Sequence, residues 1–196
     1  METYIQDSRD ELYNTYTPSQ LRALRRRSNK CGLIQLCGHI GVAFTTACLV
    51  LASLETSWLL PALILHGIIL VFLFSAEHEA IHFTAFQTRA LNWSVAWMAG
   101  VILMLPPLWF RCFHLAHHRW TQNLDRDPEL ILPKPQTLVQ YLYWVSGIPF
   151  WLSRLRTTVI NSLGMTNDVF VPSHYQKKIA REARILWIIY LLFFGI

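Results

Sequence analysis

The stretch Leu70-Val71-Phe72-Leu73-Phe74-Ser75-Ala76-Glu77-His78-Glu79-Ala80-Ile81-His82 carries an apolar run straight into two histidines four residues apart. Upstream, residues 58–76 contain no Asp, Glu, Lys or Arg. That length is close to the roughly 20 residues a helix needs to cross a hydrocarbon core. Pro61 falls in the first turn, where a missing N–H costs nothing. A second run covers residues 34–54, with Gln35 and His39 as its only strongly polar members. The link Glu55-Thr56-Ser57 joins the two. Only helices and closed barrels satisfy their backbone in lipid, so the pair predicts a transmembrane helical hairpin.

Charge gives the orientation. Arg22, Arg25, Arg26, Arg27 and Lys30 precede the first run, the 55–57 link has no cation, and the polar stretch after the second run is again basic. Lys and Arg accumulate on the cytoplasmic side, which puts the N-terminus and the histidines there together. Residues 1–20 are polar, without a short apolar core or a small-residue cleavage site, so no cleaved signal peptide is expected.

A third apolar stretch, residues 93–105, is too short to cross comfortably and stops at Pro106-Pro107. It predicts a re-entrant or interfacial helix. A full crossing would also separate the histidines that follow from the first pair. Residues 111–184 are mixed, and Tyr141, Tyr143, Trp144, Phe150 and Trp151 suit an interfacial aromatic belt on an in-plane helix. A last run opens near Ile185 and reaches Ile196, which reads as a transmembrane helix cut short. The expected fold is an all-α, multi-pass membrane protein forming one domain over residues 1–196, with cytoplasmic helices bearing the histidines.

Composition agrees. The 196 residues are 53% hydrophobic and carry a formal net charge of +5, with a mean hydropathy of +0.30. The cations flank apolar runs, as Arg25-Arg26-Arg27 and Lys177-Lys178 do, so a nucleic-acid partner is not expected. Cys31, Cys37, Cys48 and Cys112 show no paired spacing, and no disulfide is expected.

The chemistry lies in two clusters. In His78-Glu79-Ala80-Ile81-His82 the histidines share a helical face at i and i+4. His114-Leu115-Ala116-His117-His118 puts three on one face at i, i+3 and i+4, and it is the rarer pattern. Neutral imidazole is the commonest metal ligand. Single histidines near a membrane surface are usually amphipathic rings with a wet tip, which is the reading for His39, His66 and His174. His66 precedes His78 by 12 residues, about 18 Å along a helix and too far to share an ion.

Followed by Phe83-Thr84-Ala85-Phe86, the first cluster resembles the first histidine box of the membrane fatty acid desaturase superfamily. The segment from Phe110 to Asn123 resembles its second box, and Asp125-Arg126-Asp127-Pro128-Glu129-Leu130 resembles a bacterial-type branch. The resemblance covers roughly residues 58–130. It implies a di-iron centre ligated by His78, His82, His114, His117 and His118, O₂ activation, and oxidation of a C–H bond in a lipid or fatty acyl substrate. Desaturation is the leading reaction, with hydroxylation and ketolation as relatives. It also implies a ferredoxin or cytochrome b5-type electron donor. The family's third box has no counterpart after His118, which implies a partial domain that holds iron incompletely and has little activity alone. Metal-bound histidines usually pass their other N–H to a carboxylate, so Glu79, Asp125 and Asp127 are expected beside the ligands. Arg111 and Arg119 are expected to pair with these acids or with lipid phosphates.

Two rival functions remain at this level. His78-Glu79-x-x-His82 also fits a membrane zinc metalloprotease, with Glu79 as general base. That chemistry leaves His117 and His118 without a role. A non-enzymatic histidine-rich metal-binding membrane protein is the other, but a carrier should place ligands at the bilayer midplane.

Overall fold

The computed structural model describes residues 15–131 and 134–195, the Phe194 side chain excepted. The signal-peptide expectation concerns residues 1–20, of which 1–14 lie outside the described residues. Among the described residues the fold is entirely helical: α1 (Pro18–Leu24), α2 (Asn29–Ala52), α3 (Leu59–Val71), α4 (Leu73–Ile81), α5 (Arg89–Leu103), α6 (Pro107–Trp120), α7 (Leu138–Val145), α8 (Ile148–Ser162) and α9 (Ser173–Phe194).

Two helical stretches are long and apolar enough to cross a membrane, Pro18–Ala52 with 35 residues and Leu59–Ile81 with 23. They form the hairpin the apolar runs predict. The second arm breaks at Phe72 and continues through α4, so it extends to the histidines instead of stopping at residue 76. Outward-facing Ile34, Phe44, Leu60, Ile64 and Phe72 leave an apolar surface of the kind hydrocarbon would solvate. Between the two arms, Thr46 Oγ1 lies 2.8 Å from His66 Nδ1, so His66 joins helices.

α4 packs along α5 through Ala80, Ala96 and Ala99, each fully buried. Small side chains there let the backbones approach closely. The turn between them is clamped by buried Asn92, whose Oδ1 accepts from Phe86 N (3.2 Å) and whose Nδ2 donates to Phe86 O (2.8 Å). Gly32 on α2 lies against this turn. A Cβ there would come within 2.3 Å of Ala85 O, so no larger residue fits.

After α5 the chain turns sharply, and α5 and α6 meet at 95°. Met104 adopts φ 52°, and Leu105 N donates back to Gly100 O (2.8 Å). Pro107 then opens α6 at a position that needs no N–H. The third apolar stretch is therefore a helix with a bend at the two prolines, a shape common to a re-entrant loop and to a broken span. Glu182 of α9 accepts from Leu108 N (2.9 Å) and caps the start of α6 across the fold. Trp109 Nε1 donates to Asp168 Oδ2 (2.7 Å) and ties α6 to the loop before α9. α9 has 22 residues. It begins well before the apolar run at 185, because its first half is polar.

Candidate metal centre

α4 ends at the histidines because the apolar run ends there, and α6 starts where Pro107 allows. The bend between α5 and α6 lays α6 against α4. Ring centroids of His78 and His114 come to 4.4 Å, His82 and His118 to 4.9 Å, and His82 and His114 to 5.0 Å. Each of His78, His82, His114 and His118 offers one nitrogen, and these four atoms lie within 4.8 Å of one another. Two imidazole nitrogens on one ion of ordinary bond length stand at most about 4.2 Å apart. In a tetrahedral set the nitrogens stand about 3.4 Å apart, so the widest pair would close by up to about 1.4 Å.

His114 is the test of fit. It is 6% exposed, and neither ring nitrogen has a hydrogen-bond partner. Its nearest acid, Glu129 Oε1, is 3.7 Å from Nδ1 and out of bonding range. A buried imidazole with both nitrogens unbonded costs free energy unless something else binds it. A metal ion among the four imidazoles would supply that partner. The outer wall is apolar, with Phe74 5.4 Å from Phe110 and Phe110 5.5 Å from His114, centroid to centroid. Burial, and then the charges of His78 and His118, hold the His82 ring below its usual pKa, which favours the neutral form a metal needs.

His117 stands apart from the four. Its ring is 5.8 Å from that of His114 and 5.7 Å from that of His118. Its Nδ1 lies 2.9 Å from Asp127 Oδ1, which leaves Nε2 as its outward donor. Asp127 is 1% exposed and also accepts from Gln122 N (3.1 Å) and Glu129 N (3.0 Å). Burial alone would raise its pKa, but the His117 and backbone bonds outweigh that and hold it below the usual carboxylate range.

Of the other acids expected nearby, Glu79 Oε1 lies 3.1 Å from His78 Nδ1, and Thr84 Oγ1 donates to Glu79 Oε2 (2.7 Å). Asp125 touches no histidine among the described residues. Its backbone N bonds Asn123 Oδ1 within the turn (3.1 Å). Glu129, which the spacing argument passes over, reaches toward both His114 and His117, with Oε2 3.5 Å from His117 Nδ1. Its place two residues after Asp127 was the available signal. Among the described residues Arg111 and Arg119 form no ion pair with these acids. The Arg111 guanidinium sits 4.4 Å over the Phe83 ring.

The model of the family described as fatty acid desaturase matches residues 55–196. The chain belongs to the fatty acid desaturase family. No curated protein and no solved structure matches it. Membership and two apolar helices make this desaturase-family chain an integral membrane protein, and its histidine cluster is a metal-binding arrangement. The zinc-protease reading of His78-Glu79-x-x-His82 is not favoured, since Glu79 is engaged by His78 and Thr84 and a second helix adds two histidines to the same focus.

Proposed function

We propose that this chain is a membrane-bound, O₂-dependent oxidoreductase acting on a fatty acyl lipid by desaturation, with hydroxylation as the nearest alternative outcome. The ligands would be His78, His82, His114 and His118 at one iron position, with His117 offering Nε2 toward a second. The observation that carries the reading is buried His114, both nitrogens unbonded, at the centre of three other imidazoles.

Iron supplies O₂ activation and the oxidising power to take hydrogen from an unactivated C–H bond. The chain's own residues do the rest. Glu79 and Asp127 hold the Nδ1 protons of His78 and His117 and so aim each Nε2. Phe74 and Phe110 keep water from one side of the cluster. Electrons from a ferredoxin or cytochrome b5-type protein would arrive at the cytoplasmic face, where the histidines share a side with Arg25, Arg26 and Arg27.

Metal content tests this. The purified chain, loaded anaerobically with Fe(II), should retain iron with a Mössbauer spectrum of nitrogen-rich high-spin Fe(II). His114→Leu should lose it. Retention of zinc at one ion per chain with iron excluded would refute the assignment.

A further inference from the structure

A cavity of about 590 Å³ lies beside α4, next to the histidine cluster, with Ser75, Ala76 and Glu79 of that helix in its wall. It is bounded by the link between α1 and α2, by α2 itself, by α4, and by the turn 84–86. None of the four clustered histidines lines it. Its rim carries Arg25, Arg26 and Arg27, while Leu36, Phe86 and Val95 give it an apolar floor. Among the described residues Glu79 is its only acid, already engaged by His78 and Thr84. The three guanidinium groups have no ion-pair or hydrogen-bond partner among the described residues. Ser28, the cap of 24-residue α2, also lines the cavity, and no acid occupies that helix's first turn. The positive helix end therefore adds to three cations that no acid among the described residues pairs with.

We propose that this cavity holds one anionic phospholipid, its phosphate between Arg25, Arg26 and Arg27 and its glycerol and first methylenes against Phe86 and Val95. A lipid, not a soluble anion, is the occupant because the arginines sit in the link directly before α2, at the end of an apolar helix where head groups would surround them. The volume matches a head group with its glycerol, since small-molecule sites run from about 300 to 1,000 Å³. Glu79 forms both part of the cavity wall and the support of His78. The bound lipid therefore sits one side chain away from the metal ligands.

Native mass spectrometry of the full chain, released from nanodiscs of mixed phosphatidylcholine and phosphatidylglycerol, tests the site without relying on oxidation activity. The wild-type chain should retain one phosphatidylglycerol. The triple variant Arg25→Gln, Arg26→Gln, Arg27→Gln should lose at least about tenfold of it, as expected for removing juxtamembrane cations. Cys31→Trp, which fills the cavity from an exposed position, should lose it too. Lys177→Gln with Lys178→Gln should retain it. Equal loss in that lysine pair, retention in Cys31→Trp, or equal displacement by inorganic phosphate would overturn the proposal.

Discussion

His117 Nδ1 and Asp127 Oδ1 lie 2.9 Å apart across the turn that follows α6, with Asp127 almost wholly buried. Three bonds fix the carboxylate, so it fixes the imidazole in turn. Asp127→Asn keeps the shape but removes the charge that holds Nδ1 protonated. Metal affinity should fall about 10–100-fold, the range for losing such a support. Competition titration with a chelator measures it, and an affinity within twofold of the wild type would remove Asp127 from this role.

His114→Leu separates metal binding from packing. In the metal-free chain the substitution removes two unbonded buried nitrogens and keeps most of the volume, so the thermal midpoint should hold or rise. With metal present, the wild type should gain a midpoint shift that the variant lacks. Thermal scans with Fe(II) and with a chelator show both, and an equal shift in the two proteins would count against ligation by His114.

The burial of Glu182, against which its bond to Leu108 N works, makes stability depend on pH. Burial pushes the Glu182 carboxyl up to about 7. The folded state therefore favours its protonated form, and this contribution is complete below the unfolded value of 4.5. It is lost as pH rises through about 7. Glu182→Gln keeps an acceptor for Leu108 N and removes the titration. The stability difference between variant and wild type should grow in the variant's favour from pH 4.5 to 7. A flat difference across that window would contradict the assignment.

Gly100→Ala should be costly for a reason set by the backbone. The added Cβ would lie 2.4 Å from Leu105 O, which is part of the reversal between α5 and α6. Overpacking of this kind costs about 1–3 kcal/mol. Because the reversal aims α6 at α4, metal retention should fall along with the thermal midpoint. Loss of neither would mean the bend accommodates a methyl group.

The hairpin, the helix stop at Pro106-Pro107 and both histidine clusters were readable because each is a local signal, carried by hydropathy or by helical spacing. The position of His117 was not. At 100° per residue, His117 and His118 fall on opposite sides of His114, and spacing cannot say which side faces α4. The bend answers that by bringing α4 to the His118 side. Glu129 was hidden for a related reason, because a turn after the helix swings it back. The early start of α9 escaped notice because its first half lacks apolar residues, and contacts such as Glu182 to Leu108 hold it in place.

The four clustered imidazoles come from two helices joined through residues 83–113, a segment that includes the left-handed turn at Met104. An ion gripping His82 and His114 would therefore act as a buckle on that segment. Loops of this length yield about 3–4 kcal/mol when closed by a covalent bridge. Unbuckled, α6 keeps Glu182, Asp168 and the buried side chains of Leu108, Trp109 and Phe110 to hold its near end, and the far end, where His118 and Arg119 are exposed, becomes the part that loosens first. In a cell short of iron, the lifetime of this protein would then be set by its ligand supply before its catalysis was.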